Sequence, residues 1–153
     1  MSLEETQTFF EVYRDAFNRL DGDAVADLWN ERSAITSRGA DGVATLAWWS
    51  DEAPMRANHR ALCDVYRQAG YDHADFVIEQ HLPLGPDHAF AHLHWRLWRR
   101  DGSLLQQFHT GYQLMRTAVG VRVLMVVAHQ EALQAMRDGG DASDDAARDA
   151  RRH

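Results

Sequence analysis

The hydrophobic pattern of this chain changes its period at Gly70, and this change constrains the fold more than any other feature. Beyond it, apolar and polar residues alternate, which is the pattern of half-buried β-strands. Four segments show this alternation: HADFVIEQHL, HAFAHLHWRLWRR, SLLQQFHTGYQLMR and VRVLMVVAHQE. They are separated by PLGPD, DG and TAVG, which favour turns, so we expect an antiparallel meander of four long strands.

Upstream of that change, the apolar spacing is helical. A first helix is predicted over Leu3–Leu20, and MRANHRALCDVYRQAG predicts a later helix whose buried stripe includes His59 and Tyr66. Between them, Asp23 is expected to cap a short helix that extends to Trp29. SAITSRG predicts a short strand, whereas GVATLAWWSDEAP is ambiguous. Helices followed by a meander indicate an α+β domain whose helices cover one face of the sheet.

Counting residues across the hairpins assigns the strand faces. A two-residue turn at Asp101-Gly102 places Trp95 opposite Phe108 and His94 opposite His109. One face is then apolar and should contact the helices, and the other is rich in histidine, glutamine and charge. The residues assigned to the helix side are Phe76, Ile78, Leu93, Trp95, Leu97, Phe108, Tyr112, Leu114, Val123 and Met125.

The last predicted strand adds apolar residues to the face that is rich in histidine. Strict alternation places Leu124, Val126 and Ala128 on it, beside the histidines and Gln113. An apolar strip of this kind is rarely left in contact with water. We therefore expect this face to form a homodimer with a second copy of the chain.

Composition limits the possible partners and compartments. The chain has 23 acidic and 16 basic residues, a balance that argues against nucleic acid as a partner. Cys63 is the single cysteine, which indicates a reducing compartment. The longest apolar run, VGVRVLMVVA, is too short to span a bilayer. We expect a cytoplasmic protein without a membrane partner, with one domain over residues 1–133 and a polar, disordered tail over 134–153.

Two segments and the order of the strands resemble a known family. LDGDAVADLW (20–29) and SAITSRG (33–39), followed by a helix and a four-strand meander, are similar to the nuclear transport factor 2-like (NTF2-like) superfamily, in its SnoaL-like and steroid-isomerase-like branch. The likeness covers about residues 5–132. It implies a cone-shaped half-barrel, in which a curved, mostly antiparallel sheet carries three helices of the N-terminal half on its concave face. It also implies a small-molecule pocket under the helices and dimerisation through the convex face.

The catalytic residues of steroid isomerases transfer poorly to this chain. Those enzymes use a first-helix tyrosine, which Tyr13 matches in its distance from DGD. Their aspartate base follows the first strand, where this chain has TSR (36–38), and their second acid falls near Thr110 or Tyr112. Both carboxylates are missing, so the usual steroid-isomerase chemistry is not expected.

Dehydratases of the superfamily use pocket histidines and tyrosines, and this resemblance supplies four catalytic candidates. The tyrosines would donate hydrogen bonds and a histidine would transfer the proton; the candidates are Tyr13, His59, Tyr112 and His129. Flat aromatic side chains that either contact a ligand or simply fill the core are Trp29, Trp49, Tyr66, Trp95 and Phe108. The adjacent Trp48 and Trp49 should not both point inward, and one of them is expected to line the mouth of the pocket. Neither GxGxxG nor GxxxxGK[ST] occurs, and no cofactor is expected.

Three functions stay open at this point. The first is a pocket protein for a small apolar or aromatic molecule, with or without isomerase, dehydratase or cyclase activity of the acid–base type. The second is a non-catalytic dimeric binding or scaffold module. The third is a metal site on His92, His94 and His109, near Glu79, because imidazole and carboxylate groups on adjacent strands are typical transition-metal ligands. The face assignment places these histidines on the side of the sheet away from the pocket. There they could equally belong to a polar surface or to a dimer interface.

Overall fold

In the computed structural model, which describes residues 1–129, the protein forms an α+β domain. The elements of this range follow in the order α1 (Leu3–Asn18), α2 (Gly22–Ala26), β1 (Trp29–Arg38), β2 (Ala44–Trp49), α3 (Glu52–Gln68), β3 (Tyr71–Leu84), β4 (His88–Arg99), β5 (Leu104–Thr117) and β6 (Gly120–His129). The predicted tail, 134–153, lies outside the described residues. Within residues 1–129, no helix has the length and apolar character needed to cross a membrane.

The six strands form one curved sheet in the order β2-β1-β6-β5-β4-β3. Every neighbouring pair is antiparallel except β1 and β6, which run parallel. The predicted meander is therefore present as β3 to β6, and the ambiguous segment forms the edge strand β2. The predicted fold class, a curved and mostly antiparallel sheet with helices on one face, is confirmed.

The DGD segment connects the first two helices and fixes how α2 packs. Asp21, not Asp23, caps α2, by accepting a backbone N–H of its first turn at 3.0 Å. The helix ends at Ala26, so the prediction that it extends to Trp29 is wrong. Gly22 has no room for a side chain, because a Cβ there would lie 2.7 Å from Arg60 Cα on α3.

Both cross-strand pairs that the sequence predicted between β4 and β5 are present. Trp95 lies opposite Phe108, and His94 lies opposite His109. The rings of Trp95 and Tyr13 of α1 are 6.2 Å apart, so the helices cover the Trp95 face, as predicted. This concave side and the helices above it hold the hydrophobic core.

The turn that joins β4 and β5 differs from the predicted one. The backbone N–H of Arg99 donates to Ser103 O at 2.9 Å, which makes the loop one residue longer than a two-residue turn. A β-bulge then restores the register, because Leu97 pairs with Gln106 while Trp98 pairs with Leu104. The predicted pairs hold because these two departures cancel.

A second bulge reverses the faces of β6. Gln113 pairs with Met125, but the next residue of β5, Leu114, pairs with Val123, so Leu124 is the extra residue. Val126 therefore pairs with Tyr112 on the concave side. The residues for which the predicted face is wrong are Met125, Val126, Ala128 and His129.

Candidate functional site

A cavity lies between the helices and the concave face of the sheet. Its accessible volume is about 60 Å³. The total free space, which includes the open mouth, is about 580 Å³. The wall is formed by α1, α3 and the inner faces of β1, β3, β4, β5 and β6. The curvature of the sheet brings these segments, which are distant in sequence, together around the cavity.

Most of the candidate residues predicted from the sequence line this cavity. They are Tyr13, Trp29, His59, Tyr66, Trp95, Phe108 and Tyr112. Trp49 is not among the lining residues: it is half-buried and contacts Trp29 edge-on, with ring centroids 6.2 Å apart. Its neighbour Trp48 is 62% exposed on the other face. Trp49 therefore packs against a wall residue and does not line the cavity as the sequence predicted.

His129 is the candidate that the structure places elsewhere. It lies directly opposite His109 on the outer face, and its Nε2 is 3.1 Å from Nε2 of His92. The sequence prediction that it faces the cavity is wrong because the bulge at Leu124 inverts the alternation of β6. His129 therefore belongs to the outer histidine cluster, on the opposite side of the sheet.

Two buried tryptophan–tyrosine hydrogen bonds hold the aromatic part of the wall. Trp29 Nε1 donates to Tyr13 Oη at 3.2 Å, and Trp95 Nε1 donates to Tyr112 Oη at 3.0 Å. The two tyrosine rings are themselves 5.9 Å apart. A hydroxyl that accepts a hydrogen bond becomes a stronger donor, so both phenol groups are polarised by their indole partners.

His59 is the titratable imidazole of the wall, and it is only 2% exposed. Its ring lies 4.5 Å from the Trp29 ring, and neither ring nitrogen has a hydrogen-bond partner among residues 1–129. Burial lowers the pKa of His59 to about 4, and the nearby positive charge of Arg56 acts in the same direction. At neutral pH the imidazole is therefore uncharged, with one nitrogen able to donate and the other able to accept.

Thr110 adds a second polar group to the same wall. Its hydroxyl is buried and, like the His59 ring, has no hydrogen-bond partner in the described part of the chain. Buried polar groups without partners are uncommon in folded proteins and call for a ligand, a water or a functional explanation. The predicted register, with Trp95 opposite Phe108, also implies that Thr110 lies opposite Leu93 on the concave side, so this signal was available in the sequence.

Two further lining residues, Val126 and Tyr71, were missed for different reasons. Val126 was hidden by the β6 bulge. Tyr71, directly after Gly70, begins β3 and had no periodic context on one side. Its hydroxyl donates to Asn18 Oδ1 at 2.8 Å, and burial raises its pKa well above the usual range, so it stays protonated.

The described lining residues include no aspartate, glutamate, lysine or arginine. Most of the wall is aromatic or aliphatic, and its polar groups are neutral at physiological pH. A permanent charge on a bound molecule would therefore lose its hydration without gaining an opposite charge. The site is suited to neutral molecules.

The architecture defines the class of protein: a curved sheet closed by helices around a concave cavity is the fold of NTF2-like proteins. The chain belongs to the family described as NTF2-like protein (DUF6841), which matches residues 4–131. The superfamily predicted from the sequence is thereby confirmed. Among curated proteins, no relative matches this chain.

Solved structures share the fold at low sequence identity. An NTF2-like protein of unknown function from Shewanella oneidensis MR-1 is 16% identical with a TM-score of 0.65, covering 84% of this chain and 98% of that one. A proposed NTF2-like dehydratase from Streptomyces avermitilis is 12% identical with a TM-score of 0.57, covering 82% and 93%. A ketosteroid isomerase-like protein from Erwinia carotovora is 14% identical with a TM-score of 0.56, covering 82% and 93%. At such identities the likeness establishes the fold alone.

Proposed function

We propose that the concave cavity binds a small neutral molecule that has an apolar or aromatic ring and one or two oxygen functions. The observation that carries this proposal is the pair of buried polar side chains, His59 and Thr110, that lie without partners among the described residues in a mostly aromatic and aliphatic wall. This combination of an apolar enclosure with a few polar groups is typical of small-molecule sites.

Hydrogen bonding explains the expected oxygen functions. A buried polar group without a partner costs about 1–3 kcal/mol. Neutral His59 donates to a carbonyl oxygen or accepts from a hydroxyl, and Thr110 does either. A ligand that carries such groups would recover this energy for both residues at once, which favours ketones, phenols and alcohols over pure hydrocarbons.

The dimensions of the cavity limit the size of the ligand. The accessible volume of about 60 Å³ is well below the range of about 300–1,000 Å³ that small-molecule sites typically occupy. The value of about 580 Å³ includes solvent at the open mouth, so the enclosed part admits only a small group. We therefore expect a molecule with one or two rings, of which one enters the enclosed part, rather than a steroid skeleton.

Acid–base catalysis on such a molecule is the second candidate function. His59 is unprotonated at neutral pH and faces the cavity, so it is placed to accept a proton, and Tyr13 and Tyr112 supply polarised hydroxyls nearby. Solved structures of the same fold include a ketosteroid isomerase-like protein and a proposed dehydratase, which supports this second candidate. However, no carboxylate among the described lining residues would stabilise an imidazolium, so binding is proposed first and turnover second.

A ligand screen tests the proposal. Phenols, naphthols, indoles and aryl ketones would be added to the wild type, to His59→Leu and to Thr110→Val, with thermal unfolding and tryptophan fluorescence as readouts. At about one hundred times Kd, a ligand should stabilise the wild type by about 2.7 kcal/mol, or about 5–10 °C in Tm. The two variants should bind more weakly, because each lacks one polar contact.

The matched control is His94→Gln, which removes a histidine from the outer face and should leave ligand binding unchanged. If no compound of the panel stabilises the wild type, the pocket function is wrong and the dimeric scaffold takes its place. If a compound binds His59→Leu and Thr110→Val as tightly as the wild type, the proposed polar contacts are wrong. Disappearance of a bound compound, with appearance of a product in the wild type only, would establish turnover.

A further inference from the structure

The outer face of the sheet carries a cluster of four histidines and one glutamate, which we call the outer histidine cluster: Glu79, His92, His94, His109 and His129. Four adjacent strands contribute to it. His109 lies directly opposite both His94 and His129, so the backbone register itself brings three imidazoles together. Glu79 reaches them from a bulge in β3, between the pairs formed by Ile78 and Gln80.

The side-chain distances show that these groups converge. Glu79 Oε2 lies 3.3 Å from His109 Nε2 and 3.6 Å from His92 Nδ1. The His94 and His109 rings are stacked, with centroids 4.6 Å apart and planes 12° apart. One ligand atom each of Glu79, His94 and His109 lies within 4.8 Å of the others.

We propose that Glu79, His94 and His109 form a binding site for a divalent transition-metal ion such as Zn²⁺. Imidazole and carboxylate groups are the ligands that such ions prefer, whereas Ca²⁺ and Mg²⁺ prefer oxygen alone. Two ligands of a tetrahedral Zn²⁺ lie about 3.3 Å apart, since each bond is about 2.0–2.1 Å long. The separation of Glu79 and His109 already matches that spacing.

His94 would complete the site by a small movement. The three ligand atoms lie within 4.8 Å of one another, so no separation needs to shorten by more than about 1.5 Å to reach tetrahedral spacing. Rotation of the half-buried His94 ring about its own side-chain bonds supplies this, and the amide oxygen of Gln107, 3.2 Å from His94 Nε2, orients the ring. The Glu79 and His109 side chains are 39% and 29% exposed, so an ion can enter from solvent and keep water as a further ligand.

The two remaining histidines lie beside the proposed ligands. His92 lies between Glu79 and His129, to which its two ring nitrogens are adjacent. This site lies on the opposite face of the sheet from the cavity, so it does not depend on the proposed ligand function.

Titration of the full untagged chain with Zn²⁺ by calorimetry, and with Co²⁺ by its ligand-field absorption, tests the proposal. The wild type should bind one ion per chain at this site, with a Co²⁺ spectrum of nitrogen and oxygen coordination. His109→Gln and Glu79→Gln should each lower the affinity at least about tenfold, since even the partners of metal ligands contribute that much.

The matched control is His73→Gln. His73 also forms a histidine–carboxylate pair on β3, with Nδ1 2.9 Å from Asp72 Oδ2, but it lies outside the cluster, so its loss should not change the affinity. Far-UV circular dichroism checks that each variant folds. Because Glu79 is exposed, Glu79→Gln should perturb folding less than His109→Gln. Wild-type affinity in Glu79→Gln, or equal losses in all three variants, would overturn the assignment, as would a wild type that binds no Zn²⁺.

Discussion

The buried imidazole of His59 should make the stability of this protein depend on pH. Its pKa is about 4 in the folded protein and about 6.5 in the unfolded chain. Between these values the unfolded state binds more protons than the folded state, so stability is complete above the unfolded pKa and is lost as the pH falls towards the folded pKa. From about pH 7.5 to about pH 4.5, this single group should lower the free energy of unfolding by about 2.5 kcal/mol. A loss of that size is a substantial part of the 5–15 kcal/mol that is typical of a domain.

Urea unfolding at several pH values, followed by tryptophan fluorescence, measures this effect. Carboxylates also titrate in the range, so the relevant quantity is the difference between the wild type and His59→Gln, which cannot titrate at this position. The wild type should lose about 2.5 kcal/mol more than His59→Gln. His88→Gln, which removes a half-buried histidine of β4 outside the cavity, should behave like the wild type. Parallel pH profiles for the wild type and His59→Gln would refute the conclusion that His59 is held neutral by burial.

Three further predictions concern packing and assembly. Tyr13→Phe removes the acceptor of the buried Trp29 N–H, so urea unfolding should show a loss of about 1–3 kcal/mol; no loss would mean that water replaces the hydroxyl. Gly22→Ala forces a methyl against the Arg60 backbone and should cost at least about 2 kcal/mol, whereas Gly111→Ala, with only ordinary contacts, should barely change Tm. Val126 and Ala128 lie on the concave side and cannot form the predicted apolar strip, but Val77 and Val127 of the outer face are 53% and 42% exposed. The outer face is therefore still proposed to form a homodimer, and sedimentation at micromolar concentration should give about twice the 17.4 kDa of one chain; a monomer would contradict it.

The sequence predicted the parts of the fold in which one periodic signal dominates. In β4, buried Leu93, Trp95 and Leu97 alternate with more exposed residues, and this alternation identified the face that contacts the helices. The register to β5 came instead from an assumed two-residue turn, and it is correct because the longer loop and the bulge cancel. The helix stripe likewise placed Tyr13 and His59 at the cavity. Superfamily resemblance added the cavity itself, which no local pattern of residues encodes.

The faces of the β6 residues could not be predicted, because the alternation of this strand carries no information about them. The segment VRVLMVVA of β6 is apolar on both faces, so a one-residue bulge at Leu124 leaves the hydrophobic pattern almost unchanged while it exchanges the faces of every later residue. Bulges depend on cross-strand contacts rather than on local propensity.

The bulges also determine which residues lie at the candidate site on each face of the sheet. The bulge at Leu124 turns Val126 into the cavity wall and carries His129 away from it to the outer histidine cluster. In β3, a bulge of the same kind brings Glu79 within 3.3 Å of His109, where regular pairing would have placed it directly opposite His92. Side chains of a regular strand alternate strictly between the two faces of a sheet. An extra residue changes the face on which the following side chains lie, so one strand can place apolar residues in the cavity and polar residues on the outer face. The two candidate sites of this protein therefore share a structural origin although they lie on opposite faces, and each depends on a residue that breaks the alternation of its strand.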